Sequence, residues 1–278
     1  IERIEVLEGA SARVFGSSAF NGAINIVTRP DRESCVRLSA EGGSFGSFGG
    51  DFGVSLLTGS VSQKLSGGYT QSDGGTKNSD FKRRRAYYTG SYTSRYADLV
   101  WQAGLSSQDY GASTFYSAKF DNQWEATRRI ITSAQADIKP FGDERLVITP
   151  QAYWHRDVDH YQLTRGKEGA KNGENYHRTD VYGASLNAHA TWLLGKTAVG
   201  MDIRKEHILS TAYGDLLPEN EWKDIHGTDR RYDHRGDRTN TSLFLEHNVI
   251  LGGFTLSAGV LANRNTGLDG DFRFYPGV

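Results

Sequence analysis

No stretch of this chain approaches the roughly 18–20 consecutive apolar residues that a membrane-spanning helix needs, and mean hydropathy is −0.55. A helical membrane protein is thereby excluded. A β-barrel is not, because its outward apolar residues alternate with inward polar ones and leave no long run. A single cysteine, Cys35, forms no internal disulfide and leaves the redox compartment open. The formal net charge of −1 gives no support for nucleic-acid binding. There is no nucleophile elbow, no zinc-protease motif and no acid–base carboxylate pair in a defined pocket, so the chain is not read as an enzyme. Proline (5) and methionine (1) are scarce among the 278 residues.

Glycine (33), tyrosine (14) and phenylalanine (13) are plentiful, which suits an all-β chain. Period-two alternation predicts strands at about 34–45, 47–57, 61–72, 83–94, 98–109, 126–138, 145–158, 178–192, 196–208, 238–250 and 254–265. In the last of these Phe254, Leu256, Ala258, Val260 and Ala262 share one face, with Thr255, Ser257, Gly259 and Asn263 on the other. The connections alternate in length. Those near 58–60, 95–97, 140–144, 193–195 and 251–253 are short, while 73–82, 110–125, 159–177 and 209–237 are long. Short turns at one end and long loops at the other mark an outer-membrane barrel, a regularity that a soluble sandwich or propeller has no reason to keep. The end, RFYPGV, reads as turn-like, without a closing strand.

The opening IERIEVLEGASARVFGSSAFNGAINIVTR reads as strand, small-residue turn and strand. It resembles the end of the plug domain of TonB-dependent outer-membrane receptors, whose pattern is close to IERIEVLRGPxSxLYGxxAxGGVINIxTK. The matching positions include IERIEV, Phe15-Gly16-Ser17, Ala19, Gly22 and INIVT, and the plug-motif residues carried over are Arg3, Glu5, Glu8, Arg13, Phe15, Gly16, Gly22 and Asn25. Departures are Glu8 for the usual Arg, Ala10 for Pro, and Asn21 for the first Gly of a pair.

The resemblance implies an all-β chain: a partial transmembrane antiparallel β-barrel of about 11 of 22 strands, preceded by the C-terminal segment of an α+β plug domain. Residues 1–33 would end the plug and 34–278 would form the N-terminal half of the barrel. Since Ile1 lies inside a strand and no signal peptide precedes it, the chain is expected to be a fragment of a longer protein. The family implies the outer membrane of a Gram-negative bacterium and active uptake of a scarce small-molecule ligand without covalent chemistry. It also implies the TonB energy-coupling complex, outer-membrane lipid and lipopolysaccharide, and a surface lipoprotein as partners.

Within the long loop at 111–125, Phe115, Tyr116, Lys119, Phe120, Asn122, Gln123 and Trp124 combine aromatic faces with amides and one cation, as a large amphipathic ligand requires. Packing on neighbouring loops is the alternative. This stretch, with Glu8 and Ala12-Arg13 ahead of Phe15-Gly16, resembles Bacteroidetes-type receptors classed with the cobalamin transporter. The resemblance points to cobalamin (vitamin B12), with a ferric siderophore or haem next. Arg83, Arg84 and Arg85 suggest an outer-rim cationic patch for lipopolysaccharide phosphates, or else a solvated strand end. No cofactor is expected, although calcium would suit external carboxylates such as Asp73, Asp80, Asp109, Asp157 and Asp159. His155, Asp157, Asp159 and His160 crowd together, and a polar strand end above the membrane is preferred to a zinc site there. A soluble β-rich carbohydrate-binding or glycosidase domain is the reading from another class.

Overall fold

The computed structural model describes residues 3–8, 22–27, 33–268 and 270–277. The first two strands, β1 (Arg3–Glu8) and β2 (Gly22–Val27), pair antiparallel as a separate two-stranded sheet. Everything from Cys35 onward builds one large antiparallel sheet. Its strands are β3 (Cys35–Gly43), β4 (Ser47–Thr58), β5 (Val61–Ser72), β6 (Phe81–Thr93), β7 (Ala97–Ser113), β8 (Gln123–Ile138), β9 (Leu146–Gln162), β10 (Glu174–Trp192) and β11 (Gly195–Ser210). The long segment that follows holds three two-residue strands, β12 (Asp215–Leu216), β13 (Lys223–Asp224) and β14 (Arg231–Tyr232). The sheet resumes with β15 (His234–Leu251), β16 (Phe254–Asn265) and β17 (Arg273–Gly277). Apart from β12, which adds to β15, and the β13–β14 ribbon, each strand of the large sheet pairs with its neighbours in chain order, and β3 and β17 are its two edges among the described residues.

All eleven expected strands are present. Four strands were not expected: the two-residue β12, β13 and β14 in the long connection, and β17, where the turn-like Arg273–Gly277 pairs with β16 from Asn263↔Arg273 to Gly259↔Gly277. The proline of β17 is tolerated because, among the described residues, β17 is an edge of the sheet. Strands β6 to β11 and β15 also run two to four residues further than expected at the long-loop end, most clearly β7, β9 and β10. There the pattern is polar on both faces, and alternation no longer marks the strand.

Pairing register carries the apolar alternation from strand to strand. One row across the sheet reads Val54, Leu65, Tyr88, Ala103, Thr132, Trp154, Tyr182. Another reads Leu186, Met201, Leu243, Ala262. The opposite face carries rows such as Ser185, Asp202, Ser242, Asn263, where Asn263 Nδ2 donates to Ser242 Oγ at 2.9 Å. One face thus carries an apolar band on which no layer packs among the described residues: Leu38 is 79% exposed and Phe254 81%. The other face is polar and hydrogen-bonded.

Bulky rings on the sheet are accommodated by glycines directly opposite. Trp101 lies over Gly90 and Tyr153 over Gly183, each pair in register, and a Cβ at either glycine would collide with the ring. The connections divide by end. Residues 59–60, 94–96, 139–145, 193–194 and 252–253 turn tightly, whereas 73–80, 114–122, 163–173 and 211–233 are long. The hairpin at 44–46 is short, with Phe45 and Gly46 at positive φ. A small hydrophobic core forms where the 211–233 segment folds against β10 and β11: Tyr176, Leu209, Leu217, Ile225 and Tyr232, with Trp222 beside them.

Candidate functional site

At the long-loop end three loops are fastened to one another. Arg165 grips Asp80 through two hydrogen bonds of 2.6 and 2.9 Å and reaches Asn78 at 3.2 Å. Lys77 pairs with Asp121 at 2.6 Å. The Asn78 carbonyl accepts from Ser113 N–H, and its side-chain amide donates to the Gln123 carbonyl. These contacts join loops 73–80, 114–122 and 163–173 into one assembly. Arg165 holds the Asp80 carboxyl below its usual range, first by hydrogen bonding and then by charge.

Gln123 organises the middle loop. Its side chain is fully buried, and Nε2 donates to the carbonyls of Phe120 (2.8 Å), Ser113 (3.1 Å) and Ser117 (3.3 Å). Its Oε1 accepts from the Tyr161 hydroxyl at 2.6 Å. Gln123 is therefore spent on closing the loop, although the sequence suggested it as a ligand contact. Gly111 and Ser113 flank a register shift in β7, and Ser113 takes positive φ (44°), which re-aims the chain into that loop.

On the polar face just below lies an aromatic–carboxylate cluster. Tyr110, Glu125 and Tyr161 stand in one cross-strand row on β7, β8 and β9. Tyr110 and Tyr116 both donate to Glu125 Oε2, and their hydroxyls are 3.1 Å apart. The Tyr116 ring meets Phe115 edge-on at 4.9 Å and Tyr161 at 5.5 Å. Asp159 sits one step down on β9, opposite Thr127. Its Oδ1 is buried without a hydrogen-bond partner. Burial, then the neighbouring Glu125 charge, pushes the Asp159 carboxyl up to about 7. The Tyr116 phenol is raised to about 12 by burial and by its hydrogen bond to Glu125, and Tyr110 is raised further for the same reasons. The cluster offers ring edges and two neighbouring carboxyl groups, of which Asp159 is the one that burial pushes toward its protonated form. Those groups suit neutral or cationic ligands with hydrogen-bond donors and repel multiply anionic ones.

The ligand candidates from sequence separate accordingly. Phe115, Tyr116, Lys119 and Phe120 are exposed on the loop, and Asn122, half-buried, lends its carbonyl to Arg165 N–H. Trp124 does not join them. It is the second residue of β8, so alternation turns it to the opposite face, where its ring meets His160 at 5.1 Å. The residues that sequence reasoning missed, Tyr110, Glu125 and Tyr161, needed the pairing register, which places three strands' side chains in one row.

The suggested calcium carboxylates are dispersed. Asp80 is taken by Arg165, Asp157 pairs with Arg129, and Asp159 abuts Glu125, while Asp73 and Asp109 belong to other strands and loops. Among the described residues no three His, Cys, Asp or Glu side chains are grouped to hold a metal ion. His155, Asp157 and Asp159 share the polar face of β9, while His160 lies on the other, beside Tyr176 and bonded to Glu174 at 2.9 Å. In the arginine run, alternation puts Arg84 on the apolar-band face. It turns Arg83 and Arg85 to the polar face, where Arg85 meets Asp51 at 2.5 Å.

Of the plug-motif residues, Arg3 pairs with Glu5 at 2.6 Å, and Asn25 Nδ2 donates to Glu5 at 2.7 Å across the β1–β2 register. Glu8 and Gly22 are paired through their backbones. Arg13, Phe15 and Gly16 lie outside the described residues.

An antiparallel wall with one apolar face, short turns at one end and fastened loops at the other defines the class: part of an outer-membrane β-barrel. No family model matches the chain. It is 29% identical over 205 residues to the vitamin B12 transporter BtuB of Photobacterium profundum, covering 60% of this chain and 32% of that protein. The siderophore receptor PirA of Pseudomonas aeruginosa has the same fold at a TM-score of 0.66 and 16% identity, covering 98% of this chain and 45% of that one. The ferric enterobactin receptor PfeA of the same organism matches at 0.71 and 16% identity, over 99% and 45%. The copper transporter OprC matches at 0.70 and 17%, over 98% and 46%. The chain thus spans about a third of its curated relative and under half of these solved structures. Its fold is that of these solved outer-membrane receptors and transporters, over part of their length.

Proposed function

We propose that the chain is the end of the plug (residues 1–33) and the first half of the barrel (34–278) of a TonB-dependent transporter that takes up cobalamin. The observation that carries the cargo reading is the loop-borne cluster of Phe115, Tyr116, Tyr110 and Tyr161 around Glu125 and Asp159. A large ligand rich in amide donors finds flat aromatic contacts and carboxylate acceptors there. The sequence match to a vitamin B12 transporter supports the same cargo.

A ferric siderophore or haem receptor is the second reading, favoured by the siderophore receptors among the solved structures of this fold. The carboxylate pair weighs against polyanionic chelates. In this reading TonB supplies the work of plug remodelling, the ligand crosses unchanged, and the protein is not an enzyme. Calcium, if bound, would use external carboxylates. A soluble carbohydrate-binding or glycosidase domain is disfavoured by the apolar band, which only lipid would cover.

The test uses the full-length receptor in detergent, titrated with cyanocobalamin, a ferric catecholate and haemin. Cobalamin should bind, and Tyr116→Ala should weaken it tenfold or more. Absence of any cobalamin affinity overturns the cargo and leaves the transporter class standing.

A further inference from the structure

On the polar face, one cross-strand row runs Arg83, Gln108, Thr127, Asp159 across β6, β7, β8 and β9. It lies one step below the Tyr110–Glu125–Tyr161 row and one step above Arg85, Ser106, Arg129 and Asp157. The charged and phenolic groups of those flanking rows are paired. Tyr110 donates to Glu125 and Tyr161 to Gln123, while Arg85 pairs with Asp51 and Arg129 with Asp157. The middle row is different. Among the described residues the side chains of Arg83, Gln108 and Thr127 make no hydrogen bond or ion pair, and Asp159 Oδ1 is buried without a partner. Arg83 is exposed, whereas Gln108, Thr127 and Asp159 are half-buried. Half-buried polar groups are ordinarily satisfied by protein, water or ligand, so unused capacity gathered in one row marks a place for another molecule's polar groups.

We infer that this row is a subsite for cargo that carries a single phosphodiester anion together with amide donors, Arg83 taking the phosphodiester and Asp159 an amide N–H at the far end. The inference rests on the cobalamin reading of the same mouth and adds to it the charge by which the cargo is recognised. Neighbouring strands lie about 4.8 Å apart, so the backbones at the two ends are about 14 Å from each other. Gln108 and Thr127 stand between them with donors and acceptors to spare. Only a broad ligand reaches both ends. The charge balance limits it to one anion: Asp51 and Asp157 neutralise Arg85 and Arg129, which leaves Arg83 as the cation without a counter-ion in these two rows, among the described residues. Its guanidinium presents parallel donors to two phosphate oxygens. A second negative charge would meet Asp157, Asp159 or Glu125 further along. Arg83 thus serves the polar face, although the run it belongs to suggested an outer rim.

The test titrates the full-length receptor in detergent with cyanocobalamin, which carries a phosphodiester, and with dicyanocobinamide, which lacks it. Arg83→Gln should weaken cyanocobalamin about tenfold, the loss of one charge-assisted hydrogen bond, and leave dicyanocobinamide unchanged. Arg83→Lys should recover part of the cyanocobalamin affinity. Arg84→Gln, on the opposite face, should change neither. Asp159→Ala should weaken both corrinoids, since their amide donors are common to the two. Migration of the unboiled barrel on a gel reads folding separately. Equal loss for the two corrinoids in Arg83→Gln, or no loss for cyanocobalamin, overturns the subsite and leaves the cargo standing. Failure of the wild type to bind either corrinoid overturns the cargo reading, and this inference with it.

Discussion

The hydroxyl of Tyr161 donates to Gln123 Oε1 at 2.6 Å, and this contact joins the loop 114–122 to β9. Through the same amide the loop's own carbonyls are gathered, so one buried side chain holds both the shape of the loop and its place over the mouth.

Gln123→Ala should therefore open the loop without unfolding the wall. Leaving the carbonyls and the Tyr161 hydroxyl unsatisfied costs about 1–3 kcal/mol, paid locally because neighbouring strands keep their ladders. Hydrogen exchange across 113–122 should quicken several-fold, and limited proteolysis should nick there first. Unchanged exchange would show that the amide is not the clamp.

Asp159 makes stability at the mouth depend on pH. Its carboxyl is raised from an ordinary 3.8 to about 7, so the folded state holds a proton that the unfolded chain has lost. Stability is highest below about pH 4 for this group, declines as pH rises through the window to about 7, and then levels off. Asp159→Asn removes the decline. The variant should gain thermal stability over the wild type at pH 8 and little at pH 4, measured by melting at both values. A gain of equal size at both would refute the assignment.

Leu245 sits in the apolar band, between Val199 and Val260. Leu245→Arg should destabilise the folded barrel in lipid by about 2–4 kcal/mol if the position is near the bilayer centre. Ser185→Arg, on the polar face, should cost much less. Urea titrations in liposomes compare the two, and the reverse order would invert the assignment of the faces.

Gly90 and Trp101 form a coupled pair. Gly90→Val should cost about 1–3 kcal/mol through overpacking, and adding Trp101→Ala should recover part of that loss. A double-mutant cycle with no coupling would show that the ring is not held over the glycine.

Much of the wall is legible in the sequence because a strand with one face in lipid must alternate, as Phe254 to Ala262 does. Legibility fades where that requirement ends. The upper parts of β9 and β10 stand clear of the apolar band, so residues such as Asp157 and Arg178 carry no pattern that marks them as strand. The site is less legible still. Trp124 and Gln123 look alike in a stretch read as loop, but once β8 starts at Gln123 they point to opposite faces. Glu125 gains its meaning only from Tyr110 and Tyr161, strangers in sequence brought together by register. β17 was hidden by Pro276, which is acceptable only because no strand is paired on its far side among the described residues.

The segment 211–233 carries its own apolar core, Leu217, Ile225 and Tyr232 against Tyr176 and Leu209. The wall is specified by hydrogen-bond register and this appendage by side-chain packing, so the two answer to separate constraints. A chain so built can vary the surface of that appendage while the hydrogen-bonded frame of the sheet stays the same.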